Sequence, residues 1–128
     1  MLYRELDSLE SDEQVEQFRR RMTDRFGAIP PEGEELIRVV ALRRLGKYFG
    51  AERIVLKQGR MRMVFVQNDK SAFYQSPAFG QVIGYATTNI HRCKLEERAN
   101  MRSLLIRDVD TVEKAVDLLR QMTKVKAV

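Results

Sequence analysis

A chain of 128 residues and 14.9 kDa with 44% hydrophobic and 32% charged side chains has the balance of one folded domain around one core and is too apolar to stay disordered. Its single cysteine, Cys93, excludes an intrachain disulfide, and one histidine, His91, leaves too few ligands for a zinc site. The net charge of +5 is uneven: residues 1–50 hold 9 basic and 10 acidic side chains, residues 51–128 hold 14 and 8. A basic half invites a nucleic-acid reading, beside which solubility is the plainer one.

The charge-free run Ser71–Ile90 approaches membrane length, but Gln75, Pro77, Gln81 and Asn89 interrupt it and exclude a span. No basic stretch followed by an apolar run opens the chain, so no membrane partner and a cytoplasmic location are expected.

In chain order, Ser11 with Gln14 three residues on forms a capping box, and Val15, Phe18, Met22 and Phe26 recur on one helical face until Gly27 ends the helix. Ile29-Pro30-Pro31 opens a second helix over about 31–49, apolar on several sides and therefore buried between layers, with Arg43 and Lys47 as its wet stripe. After Gly50 the period becomes two. Residues 53–58 and 60–67 read as strands around a Gln58-Gly59 turn, with Met61, Met63 and Phe65 on the core side. Ser76-Pro77 opens a short helix to about Tyr85. Residues 93–98 and 102–107 are two more strands around Ala99-Asn100. Asp110 with Glu113 caps a last helix whose apolar stripe is Val112, Ala115, Val116, Leu119 and Met122, with Glu113, Asp117, Arg120 and Lys124 facing water.

The order helix-helix-strand-strand-helix-strand-strand-helix, with strands in adjacent pairs, specifies an α+β fold: a small antiparallel sheet packed by helices. Phosphate-loop, dinucleotide, nucleophile-elbow and zinc-protease motifs are all missing from the sequence. His91 and Cys93, two apart, would share a strand face, but an ordinary strand cysteine beside a surface histidine is the expected reading, and the chain is not expected to be an enzyme.

Arg60, Arg62, Arg92, Lys94, Arg98, Arg102 and Arg107 cluster on or beside the strands, where Phe65 is the only aromatic and faces the core. A DNA- or RNA-binding accessory domain using this basic half is thus the alternative function, without the exposed aromatics that stack on bases. On the first helix Arg19, Arg20 and Arg21 stand three or four residues from Glu16 or Asp24, spacings that predict self-compensating ion pairs. Asp24 opposes the helix dipole in the last turn, so it is either paired or kept for a partner.

Asp24-Arg25-Phe26-Gly27 with its following proline, the buried helix, Gly50 and its hairpin, and Tyr74-Gln75-Ser76-Pro77-Ala78-Phe79-Gly80 resemble the C-terminal domain of the bacterial transcription-repair coupling factor. The resemblance implies that residues 1–128 are one regulatory domain of a larger chain. That family's parent is an ATP-dependent double-stranded DNA translocase that displaces stalled RNA polymerase and recruits nucleotide-excision repair through UvrA. Its ATP and magnesium are bound by upstream motor domains, so no cofactor is expected in this chain. The C-terminal domain docks on the UvrB-like N-terminal module, hides the UvrA-binding surface and restrains the motor. Phe26 and Gly27 are assigned to structure, leaving Arg20, Arg21, Asp24 and Arg25 as interface candidates. Arg21 departs from the pattern: relatives often carry an acidic residue there, able to meet a basic surface of the UvrB-like module.

Overall fold

The computed structural model describes Glu5 and residues 8–67 and 70–127. The elements are α1 (Asp12–Phe26), α2 (Pro31–Tyr48), β1 (Ala51–Lys57), β2 (Arg60–Phe65), a 3-10 turn (Ala72–Gln75), α3 (Pro77–Thr88), β3 (Cys93–Arg98), β4 (Met101–Arg107) and α4 (Val112–Met122). The four strands form one antiparallel sheet in the order β1-β2-β4-β3, so the two hairpins meet through their inner strands.

Local chemistry explains most boundaries. The Ser11 hydroxyl accepts the Gln14 N–H at 3.1 Å, and the Gln14 side chain accepts from the Glu10 N–H at 2.7 Å, one residue before the position a capping box would use. Both hairpin turns place two residues at positive φ: Gln58 and Gly59 at 54° and 74°, Ala99 and Asn100 at 48° and 68°. That backbone matches the twist of the flanking strands. A bulge between Ala51 and Arg53 explains why the alternation in the sequence starts two residues after the strand does. Thr111, not Asp110, caps α4 by accepting the Lys114 N–H at 3.1 Å. Asp110 instead pairs with Lys114 at 2.8 Å, and that hydrogen bond and charge hold its carboxyl below the usual value. α3 runs three residues beyond Tyr85 to Thr88.

The buried residues fall into two clusters rather than one core. The larger joins Met61, Met63, Phe65, Leu104 and Ile106 from one sheet face to Ala41, Leu42, Phe49, Val82, Tyr85 and the α4 stripe, which also includes Leu118. The smaller joins Val15 and Phe18 of α1 to Ile37 and Val40 of α2. α2 belongs to both, which is why its apolar residues point several ways. Asp12 adds a polar tie, pairing with Arg44 of α2 and, at 3.4 Å, with Arg120 of α4.

Gly50 ends α2 at φ 72°, and a Cβ there would lie 2.7 Å from the Phe73 ring. That ring stacks on Phe65 with centroids 6.0 Å apart, so the bend and the core share one contact. Gly50→Ala meets both backbone strain and a clash and is expected to cost about 2–3 kcal/mol in urea unfolding. Burial raises the Asp12 pKa, but the Arg44 hydrogen bond and the charges of Arg120 and Arg44 outweigh it, and the carboxyl titrates below its ordinary 3.8. Its contribution is complete above the unfolded value and is lost as pH falls through the lower folded value. Asp12→Asn should therefore lower stability by less than about 1 kcal/mol at neutral pH, the side chain being largely in water. Urea unfolding in acid should show that gap closing.

Candidate functional site

The elbow between α1 and α2 combines an apolar surface with exposed charge. α1 ends because Gly27 adopts φ 85° and ψ −165°, outside the helical region, and its N–H is taken by the Thr23 carbonyl at 2.9 Å. α2 starts at Pro31, whose ring fixes a helical φ and whose missing N–H is not needed in a first turn. Between them lies a hollow of about 430 Å³ lined by Phe18, Met22, Phe26, Ile29, Pro30 and Leu36, with Glu32 its one charged residue.

Phe26 corrects its assignment to structure: it is 66% exposed, against 4% for Phe18. Helical arithmetic puts both on one face, but the α2 residues buried against α1 are Ile37 and Val40, and Phe26 opens onto the hollow instead. The Arg25 guanidinium lies 5.3 Å from the Phe26 ring centroid, so cation and ring present themselves together.

Arg20, Arg21, Asp24 and Arg25 are all exposed at this end of α1. The expected self-compensation holds only for Arg19, 3.3 Å from Glu16 and also paired with Glu34 of α2. Arg21 pairs with Glu5 at 2.5 Å. Among the described residues no ion pair reaches Arg20 or Asp24, so the pairs expected from Arg20 to Glu16 and from Asp24 to Arg20 or Arg21 do not form. An exposed ring beside an arginine at the edge of an apolar hollow, with a carboxylate on the same last turn that has no partner among the described residues, has the chemistry of a protein-docking anchor.

The other sequence candidates resolve differently. His91 sits in the turn before β3, off the strand, and is exposed. Cys93 faces the core, half-buried, and burial, partly offset by the Arg92 charge, pushes its thiol above its ordinary value, the wrong direction for a nucleophile. Arg102 leaves the basic cluster, stacking 4.6 Å from the Tyr74 ring centroid on the helix side of the sheet. Among the described residues no group of three or more potential metal ligands forms, and no helix is long and apolar enough to cross a membrane.

The TRCF domain model matches residues 1–76 of the sequence. The chain belongs to the TRCF domain family. No curated protein matches it in sequence. The solved structure titled "Crystal structure of C-terminal domain of transcription-repair coupling factor" superposes with a TM-score of 0.72 at 14% identity, covering 98% of this chain and 78% of that one. The likeness shows a shared fold. In this TRCF domain the matched residues contain the whole elbow, whereas α3, β3, β4 and α4 lie beyond them.

Exposure sets opposite expectations for the two phenylalanines of this TRCF domain. Phe18→Ala should cost about 3 kcal/mol or more in urea unfolding, and Phe26→Ala should stay within about 0.5 kcal/mol of the parent.

Proposed function

We propose that this TRCF domain is the autoinhibitory docking domain of a transcription-repair coupling factor, and that the elbow is the surface it docks with. The parent would be an ATP-dependent translocase on double-stranded DNA that displaces stalled RNA polymerase in the cytoplasm, its ATP and magnesium held by motor domains upstream. The domain itself supplies no reaction. It covers the UvrA-binding surface of the UvrB-like module and restrains the motor until the contact opens.

Family membership over residues 1–76 carries this reading, because that segment includes the elbow. Its geometry supports it: Phe26 offers a ring already exposed before docking, the hollow accepts an apolar side chain, and Asp24 is a carboxylate without a partner among the described residues. Asp24 can meet a basic surface that Arg21, already paired with Glu5, would repel. A contact that must open cannot be strong, so binding should be modest in affinity.

The test adds the isolated chain to a coupling factor lacking its C-terminal domain. The ATPase rate should fall, and UvrA should compete with the added domain. Phe26→Ala and Asp24→Lys, both at exposed positions, should each weaken the inhibition about tenfold or more, in line with truncating an interface anchor. An ATPase rate indifferent to the added domain, with UvrA binding undisturbed, would sink the reading.

A further inference from the structure

Among the described residues the helices of the large cluster pack on one side of the sheet. Its second face carries Arg53, Val55 and Lys57 of β1, Arg60, Arg62 and Val64 of β2, Ser103, Leu105 and Arg107 of β4, and Lys94, Glu96 and Arg98 of β3, as the register requires. Val64 is buried yet belongs to neither hydrophobic cluster, which places it on this second face, beneath longer side chains and away from the helices.

At one end of the face, register sets four cations side by side. Lys57 stands opposite Arg60, Arg60 opposite Arg107, and the Arg107 N–H donates to the Arg92 carbonyl at 2.9 Å. With strands about 4.8 Å apart, the row is about 14 Å long. Lys94 stands in the next row, and with Arg60, Arg92 and Arg107 it rims a hollow of about 420 Å³. Like charges set directly opposite destabilise a sheet, so this row works against the fold.

Asp108 shares a hollow with Arg60 and Arg107, yet among the described residues it forms no ion pair with the row. Glu96 lies 3.6 Å from Arg62, and Asp110, beside the row, is held by Lys114. The Arg92 guanidinium donates to the carbonyls of Arg107 (3.0 Å) and Asp108 (3.1 Å), and Arg107 donates to the His91 carbonyl. Both guanidiniums are thus held by backbone carbonyls, with no ion pair among the described residues. Among the described residues the Lys57, Arg60 and Lys94 side chains make no hydrogen bond or ion pair.

We propose that this open face binds the phosphate backbone of a nucleic-acid duplex without reading its sequence. A fixed row of like charges suits a polymer whose charges repeat, and arginine and lysine are the usual phosphate contacts. Among the described residues the face carries no aromatic residue, so it lacks the stacking platform of single-strand binders. The elbow, with its ring and apolar hollow, has the contrary make-up and shares no residue with this face.

The test is fluorescence anisotropy of the chain with a labelled DNA duplex. Neutralising about four phosphates gives a slope near −3.6 for log K against log salt, a loss of about 10²-fold between 50 and 200 mM salt. Arg60→Gln with Lys94→Gln should reduce the slope by about 2 and weaken binding more than tenfold at 50 mM. Neither side chain has a partner to lose, and the melting temperature, which should not fall, checks the fold. Arg20→Gln with Arg25→Gln should leave duplex binding unchanged. No binding at 50 mM, binding unaffected by the Arg60/Lys94 pair but lost with the Arg20/Arg25 pair, tighter binding of single strands, or equal displacement by polyglutamate would each overturn the proposal. The elbow reading stands or falls separately on the ATPase assay.

Discussion

The structure depends on α2 having to bury two faces at once. Ile37 and Val40 close the small cluster with α1, while Ala41, Leu42, Leu45 and Phe49 close the large one with the sheet, α3 and α4. A helix used this way cannot be amphipathic in the ordinary sense, and it cannot rotate to improve one contact without opening the other. The elbow is therefore held against the rest of the molecule by a packed helix rather than a flexible link. Asp12, reaching Arg44 and Arg120, adds a third tie at the other end of α1.

That rigidity lets one small fold present two unlike surfaces. The elbow is apolar, with an exposed ring and an adjacent arginine, and suits another protein. The open sheet face is cationic, has no ring among the described residues, and is the face proposed for phosphates. The unevenness of charge along the chain is thus a difference between surfaces, with α1 and α2 near neutrality and the hairpins strongly basic.

Much of the fold was legible because its signals are local. Ser11, Gly50, the Gln58-Gly59 and Ala99-Asn100 turns and Ser76-Pro77 each act within a few residues through a cap, a positive φ or a fixed proline ring. The candidate site was less legible. Phe26 has the periodicity of a core residue, but periodicity reports a face and not whether a neighbour reaches it. Arg19 and Arg21 have intrahelical partners within reach by spacing, yet Arg19 also reaches Glu34 and Arg21 reaches Glu5, because a long side chain takes whichever carboxylate the packing brings close.

The sequence by itself determined the elements, the α+β class and membership of the TRCF domain family, since caps, turns and the matched residues 1–76 are all read along the chain. Only the tertiary structure decided that β2 pairs with β4. Each hairpin is specified by its own turn, but nothing local joins one to the other; that pairing follows from burying Met61 and Met63 beside Ile106 and Leu104 under the same helices. The same register sets Arg60 against Arg107 and assembles the basic row, a juxtaposition that core packing imposes on residues far apart in the chain.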